Sequence, residues 1–323
     1  MKMTLVPDRY KHAAIVGATV PMPRALRVPT RLELLSRLHR AKARRADVIV
    51  IAHPKCGGTW LRVMLFHLYQ TRYGLSSRRV FKTDELYRQN SDLPRFLVTN
   101  GHYSYEGVVA QALREPGASP DLAGKRFVLL ARHPCDIVVS WHLQLAKRTK
   151  AYKRELINHA LRAPVERGAL SLWEFALHEE LGLPALIEYF NEWVRALSRV
   201  ERSLVVRYED LRTEPESVLR RMVSFLEAPF SDQEIAQAVS FASFDNLRAL
   251  EQANYFRNAG LTLRNPDDPD TFKVRRGKVG GYRDHFTPEQ LAHIDALVRT
   301  RLDPVLGYGA APEPSPDAAV QRA

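Results

Sequence analysis

Two hydrophobic patterns alternate along the chain. Short continuous apolar runs rich in β-branched residues occur at 47–52 (DVIVIA), 96–99 (FLVT), 126–132 (RFVLLAR) and 203–207 (SLVVR). Strands buried on both faces of a parallel sheet carry this signature. Between the runs, apolar positions recur every three or four residues, as Leu61, Met64, Leu65 and Leu68 do. That spacing gathers them on one helix face. It predicts helices over 59–73, 184–200, 214–226 and 232–241. Another helix begins at Pro134, because proline suits the first helical position. Thr287-Pro288-Glu289-Gln290 is a capping box that opens a last helix, ending near 302.

Strands alternating with helices predict an α/β fold with a mostly parallel central sheet flanked by helices. No linker divides the chain, so 30–309 reads as a single domain. An N-terminal arm, 1–29, shows no period, and a proline-bearing solvated tail, 310–323, follows the domain. Residues 30–45 (TRLELLSRLHRAKARR) read as a basic helix with Leu32, Leu35 and Leu38 on one side. Its charged face is either solvated or a peripheral contact for anionic lipid. The charged run 147–154 reads as a solvated loop.

Composition narrows the function classes. The 323 residues carry 48 Lys+Arg against 36 Asp+Glu, a formal charge of +12, and 45% are hydrophobic. That content excludes wholesale disorder. The positive excess points to an anionic partner: nucleic acid, a membrane surface or a phosphorylated ligand. Two cysteines cannot frame a disulfide scaffold, and no apolar run nears the ~20 residues that span a bilayer. A cytoplasmic location is the expectation.

Two loops carry candidate chemistry. After the first strand comes His53-Pro54-Lys55-Cys56-Gly57-Gly58-Thr59-Trp60, running into a helix. Open α/β sheets bind ligands at such carboxyl ends. The glycines admit backbone N–H groups to an anion, the helix start adds its positive end, Lys55 adds charge and Thr59 a hydroxyl. A tight turn with a solvated lysine would use the same letters. The order of lysine and glycines is not that of a Walker A loop. After the third strand, Arg132 is followed eight positions on by Ser140. An arginine and a hydroxyl there suit a second phosphate. Paired with Asp136 as a local cap, Arg132 would be structural instead.

With these motifs the chain resembles the cytosolic-type sulfotransferases that use 3′-phosphoadenosine 5′-phosphosulfate (PAPS). Residues 54–60 (PKCGGTW) match the family's P-K-S-G-T-T-W, and Arg132 with Ser140 matches its second motif. Residues 206–211 (VRYEDL) resemble its Y-E-D-L region. Residues 275–287 (RRGKVGGYRDHFT) resemble its late R-K-G-x-x-G-D-W-K-N-x-F-T motif. Cys56 and Gly58 replace two hydroxyl residues, Gly281 and Tyr282 replace Asp and Trp, and Ala242 replaces a threonine.

The resemblance implies a P-loop-kinase-like fold, PAPS as co-substrate, no metal, and roles residue by residue. Lys55 holds the 5′-phosphate and the leaving oxygen, with Cys56, Gly57, Gly58 and Thr59 forming the cradle. Arg132, Ser140, Arg275, Arg276 and Gly277 hold the 3′-phosphate. Trp60, Tyr208 and Phe244 enclose the adenine. His102, after the strand at 96–99, is the candidate base for an acceptor hydroxyl or amine on a small molecule, lipid or glycan. The acceptor pocket falls to loops around 103–115, 141–170 and 250–270, which carry no motif. His53, His133 and His142 read as structural. Cys56 and Cys135 read as small packing residues, a redox-sensitive pair being the other reading. The rival functions are a P-loop-type kinase and a basic nucleic-acid-binding protein. The first lacks the Walker lysine, and the second lacks any basic–aromatic reading surface.

Overall fold

The computed structural model describes residues 6–101, 104–114, 122–257 and 278–308. Two helices open the chain, α1 (Asp8–Ala18) and α2 (Arg24–Arg45). Then come β1 (Val48–Ala52), α3 (Gly58–Arg72), β2 (Phe96–Thr99), a 3₁₀ turn at Ser104–Gly107, α4 (Val108–Arg114) and β3 (Arg126–Ala131). After β3 the chain forms α5 (Pro134–Leu143), a π-helical turn (Gln144–Arg148), α6 (Ala151–Ala160), α7 (Leu172–Leu177) and α8 (Leu183–Leu197). Next are β4 (Ser203–Arg207), α9 (Tyr208–Thr213), α10 (Pro215–Phe225), α11 (Asp232–Phe241) and α12 (Phe244–Gln252). A 3₁₀ turn at Gly281–His285 precedes α13 (Pro288–Arg301).

The four strands are all parallel, in the order β2-β1-β3-β4. Every residue of β1 and β2 is buried, which is why those segments read as unbroken apolar runs. Strand β4 lies at the sheet edge and is only partly covered. The chain leaves β1 toward β2 on one side and reaches β3 on the other, so the order reverses between β1 and β3. Open parallel sheets form their ligand crevice at this switch point. The register pairs Ile51 with Thr99 and Leu129, and Ala131 with Arg207. The loops after all four strands therefore share one edge.

Helix α8 packs Leu186, Ile187, Phe190 and Trp193 into the core. Burying side chains of this size is worth about 1.5–3 kcal/mol each. The expected capping box at Thr287 is present, and two more occur at Ser171/Glu174 and Ser231/Glu234.

Two expectations need correction. The stretch before residue 29 is helical, and α2 begins at Arg24 and runs through Pro29. The packing face of this pair is polar, which hides its period. Asp8 is buried against Arg45 Nη2 at 3.0 Å, and Arg31 is buried with Nε donating to Thr19 Oγ1 at 2.8 Å and Nη1 3.1 Å from Glu155 of α6. The charged run 147–154 is not an open loop either. It spans the end of the π turn and the first turn of α6, where Tyr152 and Lys153 are half-buried. The tail 310–323 lies outside the described residues.

Candidate active site

The loop after β1 is set by three backbone features. Lys55 has φ 80 and Gly57 has φ 86, both left-handed, a region that disfavours side chains. A Cβ on Gly57 would meet Tyr208 Cδ2 at 2.5 Å, so the Tyr208 ring closes directly over the glycine. Gly58 opens α3, where a Cβ would stand 3.0 Å from Ala52 Cβ. The N–H groups of the first turn of α3 lack intrahelical acceptors and carry the positive end of the helix dipole. Cys56 is fully buried, and burial pushes its thiol up. At 56 and 58, where the resembling family has hydroxyl residues, the chain is closely packed. Thr59 is half-buried in the same turn.

Arg132 follows β3 and reaches across the switch point. Its Nη1 donates to the Lys55 carbonyl at 3.0 Å and its Nη2 to the Lys278 carbonyl at 3.2 Å. Its guanidinium lies 4.4 Å from the centre of the Tyr208 ring, and its buried Nε has no hydrogen-bond partner. The pairing with Asp136 exists at 3.5 Å, but it is not a purely local cap. Asp136 is buried and accepts the N–H of Gly280 at 2.9 Å and of Tyr282 at 3.0 Å. It thereby fastens the segment after 277 to the start of α5. Ser140, half-buried, lies further along α5.

The aromatic residues also converge. Trp60 and Tyr208 meet edge-on with centroids 6.1 Å apart. Trp60 Nε1 donates to the Ala242 carbonyl at 2.7 Å, two residues before half-buried Phe244. Burial raises the Tyr208 phenol above its ordinary value. Glu209 ties the loop after β3 to Tyr308: it accepts the His133 N–H at 2.9 Å and the Tyr308 hydroxyl at 2.6 Å. The Y-E-D-L segment therefore both walls the loop and braces it.

Beyond β2 the backbone turns at Gly101, φ 71, whose missing side chain leaves room for the Trp193 ring. Glu106 is buried and accepts the Asn100 N–H at 2.5 Å and the Thr99 hydroxyl at 3.2 Å. Burial alone would push its carboxyl up, but Lys82, His39, Lys153 and the Asn100 N–H outweigh this and hold it at about 2. His39 Nε2 lies 3.0 Å from Thr99 Oγ1. Nothing in the sequence pattern singled out Glu106, because its partners come from three separate segments.

His102, Arg275, Arg276 and Gly277 lie outside the described residues. His53, His133 and His142 are packed groups. His53 is buried edge-on to Trp141 and Tyr189, His133 stacks on Tyr282 at 5.0 Å, and His142 Nε2 is 2.9 Å from the Leu170 carbonyl. Both cysteines are buried with thiols pushed up by burial, which suits packing better than thiolate chemistry.

Comparison with known proteins agrees with this geometry. The sulfotransferase domain family matches residues 45–305. Cytosolic sulfotransferase 15 of Arabidopsis thaliana is 26% identical over 285 residues, covering 79% of this chain and 72% of the relative. Cytosolic sulfotransferase 16 of the same plant is 27% identical, covering 83% and 80%. Among solved structures, mouse sulfotransferase SULT7A1 complexed with PAP superposes with a TM-score of 0.52 at 20% identity, covering 83% of this chain and 89% of that one. Retinol dehydratase in complex with androsterone and the inactive cofactor PAP gives 0.50 at 16% identity, covering 87% and 88%. With most of its length matched and its two loops meeting at the switch point, the chain belongs to the sulfotransferase family.

Proposed function

We propose that this enzyme transfers the sulfuryl group of PAPS to a hydroxyl, or less readily an amine, of a small organic acceptor. The observation that carries the reading is the contact of Arg132 with the Lys55 loop, with Arg132 Nε buried and unsatisfied. A guanidinium placed on two carbonyls, with a third donor idle, gains by exchanging them for a phosphate. The side-chain-free Gly57 position and the start of α3 supply a cradle for the other phosphate group. The PAP bound in the mouse sulfotransferase and in retinol dehydratase supports the same ligand class here.

The chemistry is in-line displacement. A new S–O bond forms to the acceptor oxygen, the bond from sulfur to the bridging phosphate oxygen breaks, and the acceptor proton leaves to a base. Lys55, on the loop after β1, is the cation assigned to the oxygen on which charge grows, where an ammonium stabilises the transition state more than the ground state. Arg132 and Ser140 fix the nucleotide by its 3′-phosphate, which positions the sulfur. His102 is the base by its place after β2. The cytosolic names of the relatives fit a cytosolic enzyme, and among the described residues no helix is long and apolar enough to cross a membrane.

The test compares dissociation constants for PAPS and for adenosine 5′-phosphosulfate, which lacks the 3′-phosphate. Wild type should prefer PAPS by at least ~10²-fold, since each charge-assisted contact is worth ~1.5–3 kcal/mol. Arg132→Ala should lose most of that preference while its affinity for adenosine 5′-phosphosulfate changes little. A variant that keeps the wild-type ratio removes Arg132 from the 3′-phosphate site.

A further inference from the structure

Nearly all of the α1–α2 hairpin precedes the part of the chain that the sulfotransferase family matches, residues 45–305. It is built apart from the main core. Val28 and Leu35 of α2 close a small cluster with Tyr105 and Leu156, and α1 adds Ile15 to it. The two helices run antiparallel, with Asp8 meeting Arg45 Nη2 at 3.0 Å and Thr19 Oγ1 accepting from Arg31 Nε at 2.8 Å. Arg27 and Arg31 fix the pair to Glu155 of α6. His12 also turns inward, its Nε2 3.4 Å from the Tyr105 hydroxyl. Outward from α1 stand Tyr10, Ala13, Ala14 and Ala18, with the Arg9 guanidinium 4.6 Å from the centre of the Tyr10 ring. A surface helix ordinarily presents its polar face to water, and α1 presents its apolar one.

The apolar exposure is concentrated here. Of the eight large hydrophobic side chains exposed among the described residues, five lie between residues 6 and 34: Val6 at 53%, Tyr10 at 54%, Val20 at 59%, Leu26 at 63% and Leu34. Patches of this kind, rimmed by charge, mark interaction surfaces. The charge around them is of one sign. Arg9, Arg24, Arg37, Arg40 and Arg44 are exposed on the hairpin, and the exposed carboxylate beside them, Glu33, is 2.6 Å from Arg37. A second copy docked face to face on this patch would set arginines against arginines. Lipid phosphates would neutralise them while the apolar side chains leave water.

The hairpin also points toward the catalytic edge. His39 Nε2 of α2 lies 3.0 Å from Thr99 Oγ1, at the carboxyl end of β2. Two residues after α2 ends, the Asp47 N–H donates to the Arg95 carbonyl at 2.8 Å, at the opposite end of β2. Helix α2 therefore runs antiparallel to the strands, and at 1.5 Å per residue its stretch from His39 back to Arg24 reaches about 22 Å past the carboxyl edge. Val20 and Leu26 stand at that far end, on the same side of the sheet as the Lys55 and Arg132 loops.

We propose that the α1–α2 hairpin docks this enzyme on an anionic lipid surface, with the outer side of α1 and the Val20–Leu26 tip entering the headgroup layer and the arginines meeting the lipid phosphates. The inference stands independently of the nucleotide chemistry.

Flotation of the full chain with lipid vesicles tests it. Vesicles of phosphatidylcholine with about 30% phosphatidylglycerol should carry the protein, pure phosphatidylcholine should carry little, and binding should weaken as salt rises. Val20 and Leu26 are exposed, so a Val20→Ser, Leu26→Ser double variant should keep the wild-type urea midpoint and PAP affinity. It should lose at least about tenfold in vesicle partitioning. Arg9→Gln with Arg24→Gln should lose a similar factor on the anionic vesicles. Absence of binding to the anionic vesicles overturns the proposal. So does binding that the serine variant leaves unchanged, because the net charge of +12 would then account for it. A dimer in sedimentation velocity that the serine variant dissolves, without vesicle binding, would assign the patch to a second copy instead.

Discussion

Lys55 combines a strained backbone with the charge that the proposed mechanism assigns to the leaving group. Its φ of 80 places a side-chain-bearing residue where L-residues lose roughly 1–2 kcal/mol. The neighbouring left-handed residue is Gly57, which bears no such penalty, so the strain is specific to the lysine. Strain kept at one functional position signals that the position is over-determined by its surroundings. Two variants separate the effects. Lys55→Ala removes the charge and keeps the strain, while Lys55→Gly removes both. Each should abolish transfer, but Lys55→Gly should be the more stable of the two by about 1 kcal/mol in urea unfolding. Equal stability of the two would show that the loop can relax and stores nothing at this residue.

At the scale of elements, Asp136 joins parts of the chain that are far apart in sequence. The first turn of α5 holds the 278–285 segment through the N–H groups of Gly280 and Tyr282, and the Tyr282 ring stacks on His133. This segment also supplies the Lys278 carbonyl that Arg132 contacts. Asp136→Asn keeps the size but loses one acceptor and the charge opposite Arg132. The expected result is PAP affinity lowered by about tenfold or more, with kcat at saturating PAPS nearly preserved, since no group at the reacting sulfur changes. A fall in kcat with unchanged PAP affinity would place Asp136 in a different role. The sequence showed Asp136 four residues after Arg132 but could not show its distant partners, because backbone donors leave no mark in the letters. The same limit hid Glu106. The sheet was legible because strands buried on both faces must be apolar throughout, as at 48–52 and 127–131. The loop after β1 was legible by its glycines, and the close approach of Tyr208 accounts for the one at 57. Helix α1 and the first turns of α2, before residue 30, were not, because Asp8 and Arg31 are buried where apolar residues mark other helices.

Across the whole molecule, buried histidines couple stability to pH. His12, His39 and His133 are each held at about 4, chiefly by burial, against an ordinary value of 6.5. Lysines 42, 82 and 153 also lower His12, and Arg283 and Arg132 lower His133 against the opposing pull of Asp136 and Asp295. Between those two values the unfolded chain binds protons that the folded chain refuses. Stability therefore falls as pH drops from 6.5 toward 4. At about 1.4 kcal/mol per unit, each histidine withdraws up to about 2 kcal/mol by pH 5. Glu106, held at about 2, acts in a separate window: its contribution is intact above 4.5 and is lost only as pH falls on toward 2. Acid sensitivity near pH 5 should thus come from the histidines. His133→Asn keeps a side-chain acceptor for the Cys135 N–H, and His39→Gln keeps a polar group beside Thr99. Urea midpoints of wild type should fall steeply between pH 7 and 5, and the double variant should lose most of that slope. A double variant that is as acid-sensitive as wild type would locate the proton uptake elsewhere in the fold.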